Sequence, residues 1–243
     1  MSEQRQAIDD QHSSRVREMF ATIAGRYDLL NHLLSGSMDK RWRLLAAKRL
    51  HGSLGSSSTR ILDVACGTGD LSLTLFETSG ARVFGVDFCR PMLAIAAEKI
   101  SRSQLEIPLI EADALRLPFN DCSFDGVTIA FGLRNLSNVE HGLNELFRVL
   151  KPGGHLAVLE FSKPIVPGFR FLFRAYFNRV LPYLGGLISG SKSAYQYLPA
   201  SVSRFPDQDE LAALMRHVGL QEVKYENLTG GIAALHLGRR AAA

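Results

Sequence analysis

Residues 61–71 read ILDVACGTGDL. The apolar run Ile61–Ala65 carries a single acid, Asp63, and gives way to Gly67-Thr68-Gly69-Asp70. A short apolar run closed by glycine predicts a strand buried on both faces. Glycine there lets the backbone approach a ligand closely, and open α/β sheets bind ligands beyond the carboxyl ends of their strands. A Gly-x-Gly alone is weak evidence, since any tight strand-to-helix turn can use it.

Outward from this stretch the chain alternates. Leu71–Thr78 predicts a helix, Arg82–Val86 a strand ending at Asp87, and Pro91–Ile100 a helix with proline in its first turn. Ile107–Ile110 and Gly126–Phe131 follow as strands. Val139–Leu150 is a predicted helix stopped by Lys151-Pro152-Gly153-Gly154, with His155–Phe161 the next strand. Asp207–Val218 predicts a helix capped by Asp207, then Glu222–Tyr225 and Ile232–Leu237 predict an antiparallel hairpin at a sheet edge. Upstream, residues 12–50 read as helical, with Val16, Met19, Phe20 and Ile23 on one face and a second helix over Lys40–Leu50. Gly52–Thr59 reads as a linker. The fold class is therefore α/β: a doubly wound, mostly parallel seven-stranded sheet with an antiparallel C-terminal strand.

A chain of 243 residues fits one domain. Its expected parts are N-terminal helices over 12–50, a cofactor-binding core over 59–161, a cap insertion over 162–206, and a final helix with edge strands over 207–240. The net charge of +4 is too mild to signal a nucleic-acid partner. Cys66, Cys89 and Cys122 form no CxxC pair, so no metal site or disulfide framework is expected, and the compartment is read as reducing. The polar N-terminus lacks a signal-like apolar core, and no apolar run reaches about 18 residues. The expected location is the cytoplasm, with peripheral contact at the inner face of a membrane.

The acids sharpen the reading of the glycine loop. A dinucleotide fingerprint would place its third glycine at Ser72. Asp63 would also repel a pyrophosphate, whereas an acid suits the ammonium and sulfonium charges of S-adenosylmethionine (SAM). Asp87 ends the second strand, where a carboxylate can accept from both ribose hydroxyls; a helix cap before Pro91 is the alternative. Glu111-Ala112-Asp113-Ala114 follows the third strand, where an acid can accept from the adenine amino group and a backbone N–H can meet a ring nitrogen.

The chain resembles the ubiquinone/menaquinone biosynthesis C-methyltransferases over nearly its whole length. The matching stretches are FATIAGRYDLLNHLL (20–34), LDVACGTGDL (62–71), GVDFCRPM (85–92), FGLRN (131–135), RVLKPGGHLAVLEFSKP (148–164) and TGGIAALHLG (229–238). The resemblance implies a Rossmann-like class I SAM-dependent methyltransferase acting on a ring carbon of a prenylated quinol, in menaquinone, phylloquinone or ubiquinone synthesis. Thr68, Asp87, Asp113 and Ala114 would contact the cofactor, with Asp63, Gly67, Gly69 and Ala130 completing its expected set. Two departures stand out: Ala130 replaces a serine found in many members, and Cys66 a glycine or other small residue.

Methylation at carbon needs an electron-rich ring held in line, so the protein must stabilise a developing phenolate and orient the ring. Arg134 is the expected phenolate partner, with a loop-orienting ion pair as its alternative. Asn135 is expected on a quinol oxygen and Tyr27 on the pocket wall. His236 is read as structural, and Cys66 and Cys89 have no covalent role.

Residues 163–206 hold Lys163, Arg170, Arg174, Arg179, Lys192 and Arg204 among many aromatics, and no acid. This suits an anionic membrane surface, or a cap helix with solvated arginines. The expected partners are the prenylated quinol, that surface and a second copy in a homodimer, with no nucleic acid. Two other functions compete: methylation of another lipid or small molecule, and a non-catalytic SAM-binding subunit of a quinone-synthesis complex.

Overall fold

The computed structural model describes residues 2–54, 59–166 and 192–242. Strands β1 (Arg60–Val64), β2 (Arg82–Asp87), β3 (Leu109–Glu111), β4 (Phe124–Ala130), β5 (Leu150–Phe161), β6 (Leu220–Leu228) and β7 (Ala233–Arg240) form one sheet, ordered β3-β2-β1-β4-β5-β7-β6. Strands β1 to β5 are parallel, and β7 is antiparallel to both β5 and β6. The doubly wound sheet with its antiparallel C-terminal strand is as expected.

The helices are α1 (Ser2–Ile23), α2 (Tyr27–Leu34), α3 (Met38–Leu54), α4 (Asp70–Ser79), α5 (Arg90–Arg102), α6 (Val139–Val149), α7 (Lys192–Arg204) and α8 (Gln208–His217). The period of two along the strands divides the core between the sheet's faces. Leu62, Val64, Val127 and Ile129 pack with Leu143 and Leu146 of α6 and Leu211 and Met215 of α8. Ile61, Val83, Ala157 and Leu159 pack with Trp42, Ala46 and Leu50 of α3 and Leu71 and Leu75 of α4.

Several boundaries differ from expectation. Lys151-Pro152-Gly153-Gly154 does end α6, but it lies inside β5 and not in a connecting loop. Phe124 pairs with Leu150 and Gly126 with His155, so the extra residues form an irregularity in the ladder. Gly153 takes a φ of +78° to make that bend. Helix α3 continues through Gly52 to Leu54, because Leu54 reaches back to pack on the core. His236 is in an interior strand, not an edge one: β7 lies between β5 and β6, and the ring Nε2 pairs with the Gln208 carbonyl at 2.9 Å. Arg170, Arg174, Arg179 and the aromatics between Phe169 and Tyr183 fall outside the described residues.

Asp207 caps α8 as expected, within a full capping box: it accepts from the Glu210 N–H at 3.1 Å, and Glu210 accepts from the Asp207 N–H at 2.8 Å. Asp207→Ala is expected to cost about 1 kcal/mol and lower the melting temperature by roughly 2–4 °C; differential scanning calorimetry checks this.

Candidate active site

A cleft of about 710 Å³, partly open to solvent, lies at the carboxyl ends of β1, β2 and β4. Asp87 lines it as the last residue of β2. The residue is 6% exposed; its Oδ2 accepts from the Gly67 N–H and Oδ1 from the Cys89 N–H, each at 2.8 Å. Cys89 precedes α5, so the helix-entry role and a place on the cleft coexist. Burial pushes the Asp87 carboxyl above its ordinary range, opposed by backbone N–H bonds from Cys89, Gly67 and Phe88. Gly67 also lines the cleft, with a φ of +55° and open space where a Cβ would stand. Gly69 serves packing instead. At a φ of +83° its Cβ would lie 3.1 Å from Ala96, so glycine lets α5 sit closely against the loop.

Asp113, Ala114 and Ala130 line the same cleft. Asp113 fixes its own turn by accepting from the Leu115 N–H at 2.9 Å, and its side chain is exposed to the cleft. The neighbouring acid, Glu111, is ion-paired to Arg17 of α1. Among the described residues Asp63 and Thr68 do not line the cleft. Asp63 is buried beneath the loop, accepting from Ser72 Oγ at 2.6 Å and Thr128 Oγ1 at 3.0 Å. Thr68 donates to Asp28 of α2 at 2.5 Å. Both act through the loop they hold.

The N-terminal helices cover this floor. Ser13, Phe20 and Tyr27 reach the cleft from α1 and the start of α2, Tyr27 as expected. A polar chain fastens them down. Lys99 bridges Asp28, at 2.8 Å, and Asp70; His32 pairs with Asp39 at 2.8 Å and Asp70 at 3.6 Å; Asp39 also pairs with Arg43. The sequence reading missed this chain, because its members are spread from residue 28 to residue 99 and only the fold brings them together.

The fourth wall is Phe131–Asn135. Phe131 holds a φ of +56°, strained for a bulky residue at the end of β4. Its carbonyl accepts from Arg134 Nη1 at 2.5 Å and Asn135 Nδ2 at 3.2 Å. Arg134 also donates to Glu160 of β5 at 2.7 Å, in an ion pair whose side chains are 6% and 2% exposed. Burial pushes the Glu160 carboxyl up, with Arg134 opposing. The structure thus places Arg134 outside the described cleft lining and in the loop-holding ion pair that was its alternative reading. Glu160 was missed, although an acid inside HLAVLEF is a signal that a buried cation must exist. Asn135 does line the cleft, and its Oδ1 is buried without a hydrogen-bond partner among the described residues.

An acid-floored cleft with a glycine loop after β1 and a carboxylate after β2 fits SAM. Gly67 leaves backbone approach, Asp87 offers oxygen acceptors, and Asp63, Asp87 and Asp113 would all oppose a pyrophosphate. This chain is a class I SAM-dependent methyltransferase. It belongs to the ubiE/COQ5 methyltransferase family, whose model matches residues 7–240. It is 54% identical to a demethylmenaquinone methyltransferase of Thermus thermophilus, over 91% of this chain and 100% of that one. It is 45% identical to a ubiquinone/menaquinone biosynthesis C-methyltransferase of Geotalea uraniireducens, over 93% of this chain and 96% of that one. Among solved structures, a SAM-dependent methyltransferase from Thermotoga maritima shares the fold, with a TM-score of 0.62 at 20% identity over 92% of this chain and 99% of that one.

Burial lifts the Asp63 carboxyl from 3.8 to about 6, against the bonds from Ser72 and Thr128. The folded chain therefore holds this proton more tightly than the unfolded chain does. The resulting stability is intact below the unfolded value of 3.8 and is lost as pH rises to about 6. Asp63→Asn cannot ionise, so it should gain stability over wild type above that range, by up to about 3 kcal/mol. Urea unfolding of both proteins at mildly acidic and neutral pH checks this; the gain should shrink as Asp63 protonates.

Proposed function

We propose that the chain transfers the methyl group of SAM to a ring carbon of a prenylated quinol, with a demethylated menaquinol as the preferred acceptor. The observation that carries this reading is the meeting of Tyr27 and Asn135 on one cleft with Asp87. Tyr27 comes from the RYDLLN stretch and Asn135 from FGLRN, the two segments that resemble quinone methyltransferases most specifically. The full-length similarity to the Thermus thermophilus demethylmenaquinone methyltransferase favours a naphthoquinol head.

Asp87 would take the ribose hydroxyls, and Asp113 with the Ala114 N–H the adenine edge. Gly67 would let the loop backbone approach the methionine portion. SAM supplies the methyl group as an electrophile. Asn135 would orient a ring oxygen, while Tyr27 and Phe131 supply aromatic walls for a flat ring. The buried Arg134–Glu160 pair acts as a positioning device, holding the Phe131 carbonyl and with it Asn135. The polar chain around Asp28 and Lys99 keeps the N-terminal cover closed, so that water is excluded from the transfer.

The 163–206 segment would meet the anionic face of the membrane and admit the isoprenoid tail. No described helix is long and apolar enough to cross a membrane. A homodimer completes the expected partners. Anionic liposomes should sediment the wild-type protein at low salt and release it as salt screens the surface. An Arg170→Gln, Arg174→Gln, Arg179→Gln variant should bind them markedly less, and wild-type protein that ignores such liposomes contradicts this part.

The direct test supplies isotopically labelled SAM and a short-tailed demethylated naphthoquinol. Label should appear on a ring carbon. Transfer only to a sterol or an acyl chain would favour the competing lipid reading. Asp87→Ala should lose a charge-assisted pair of bonds, each worth roughly 1.5–3 kcal/mol. Calorimetry is expected to show SAM affinity falling by at least tenfold in the folded variant; unchanged affinity removes Asp87 from the cofactor site.

A further inference from the structure

Tyr197 lies on α7, at the far end of the insertion; α7 packs against the Leu133–Asn135 turn, and its Leu198 shares an apolar cluster with Phe161, next to Glu160. Its hydroxyl is buried and has no hydrogen-bond partner among the described residues. Arg134 is in a similar position. Its Nη1 is committed to the Phe131 carbonyl and Glu160, while its Nε is buried and unpaired. Beside it, Asn135 Oδ1 is buried and unpaired on the cleft wall.

Buried polar atoms are nearly always bonded, so several unpaired ones around a single loop mark a place built for polar contact with something else. Their chemistry is specific. The Tyr197 hydroxyl can donate or accept, and Asn135 Oδ1 can only accept. That set matches a ring bearing two oxygens, one of which accepts hydrogen bonds while the other donates. An acyl chain has no such pair. The position also fits: Leu198 and Val202, next along α7, pack with Ile23, Leu30, Phe20 and Tyr27, the same helices that cover the cleft.

We propose that the Tyr197 hydroxyl binds an oxygen of a hydroquinone-type acceptor, while Asn135 Oδ1 accepts from the second ring hydroxyl. This inference rests on the quinol reading and deepens it. It makes α7 the wall that recognises the head group, at the end of the segment expected to receive the tail. Tyr197 thereby becomes a specificity-determining residue that the motifs alone did not reveal.

The test compares wild type with Tyr197→Phe, which keeps the ring and removes only the hydroxyl. With a short-tailed demethylated naphthoquinol, the variant's KM should rise about tenfold, while SAM affinity by calorimetry stays at the wild-type value. Its melting temperature should not fall, because no bond among the described residues is lost. A second measurement uses competitive inhibition by the same quinol and its di-O-methyl ether. Wild type should prefer the free quinol, and the variant should lose most of that preference. Wild-type KM and undiminished preference in Tyr197→Phe overturn the inference, as does a large drop in melting temperature, which would mean the hydroxyl serves the fold. Activity of wild type on the quinol keeps the two readings separate: wild type active with an unaltered variant overturns this inference alone, and wild type inactive on every quinol overturns both.

Discussion

The Asp87 carboxylate ties together the parts of this molecule that make the cleft. One oxygen holds the Gly67 N–H of the loop after β1, and the other holds the Cys89 N–H at the entry to α5. A buried carboxylate is tolerated only where its oxygens are satisfied. Here the satisfying groups are backbone amides of the two segments a cofactor must meet. The same residue therefore fixes the loop and lines the cleft. Beneath it, Asp63 repeats the arrangement with two hydroxyls, at the cost of a raised proton affinity.

A second buried acid governs the opposite wall. Glu160 anchors Arg134, and Arg134 in turn holds the carbonyl of a phenylalanine in a left-handed conformation. Strain of this kind persists only where surrounding contacts over-determine it. The aromatic packing of Phe131 against Trp42 and Phe161 supplies part of that hold. The N-terminal helices then close over both walls through the chain of polar contacts from Asp28 to Arg43. Acids and their partners thus set the shape of the cleft, while the apolar layers on the two faces of the sheet supply the rigidity.

Much of this was legible before the fold was seen. Strands ending in glycine or acid gave the sheet, because parallel strands are short, apolar and punctuated. Asp87, Asp113, Ala114, Tyr27 and Asn135, all expected at the site, line one cleft, since strand ends and the motif stretches specify position. Arg134 allows two readings from sequence, because a cation after a strand looks the same whether it faces ligand or a buried acid; the fold pairs it with Glu160. Thr68 is expected at the cofactor from the resemblance and Asp63 from the charge of SAM, but the sequence does not say on which side of the loop a side chain falls; in the fold neither lines the cleft among the described residues. Lys151–Gly154 stops α6 as expected, because proline and glycine interrupt a helix, but the strand begins before His155 and its ladder absorbs them as an irregularity.

The cleft therefore joins a floor that includes Asp87 to a wall of Tyr27, Phe131 and Asn135 that is aromatic and sparingly polar, and under the proposed function this wall would take a flat, electron-rich ring. The most direct measurement is the quinone profile, by mass spectrometry, of source cells lacking this chain and then re-supplied with wild type or with Asp87→Ala. Cells without it should accumulate a quinone lacking one ring methyl group; wild type should restore the methyl, and Asp87→Ala should not. A fully methylated quinone in cells without the chain would contradict a role in quinol methylation.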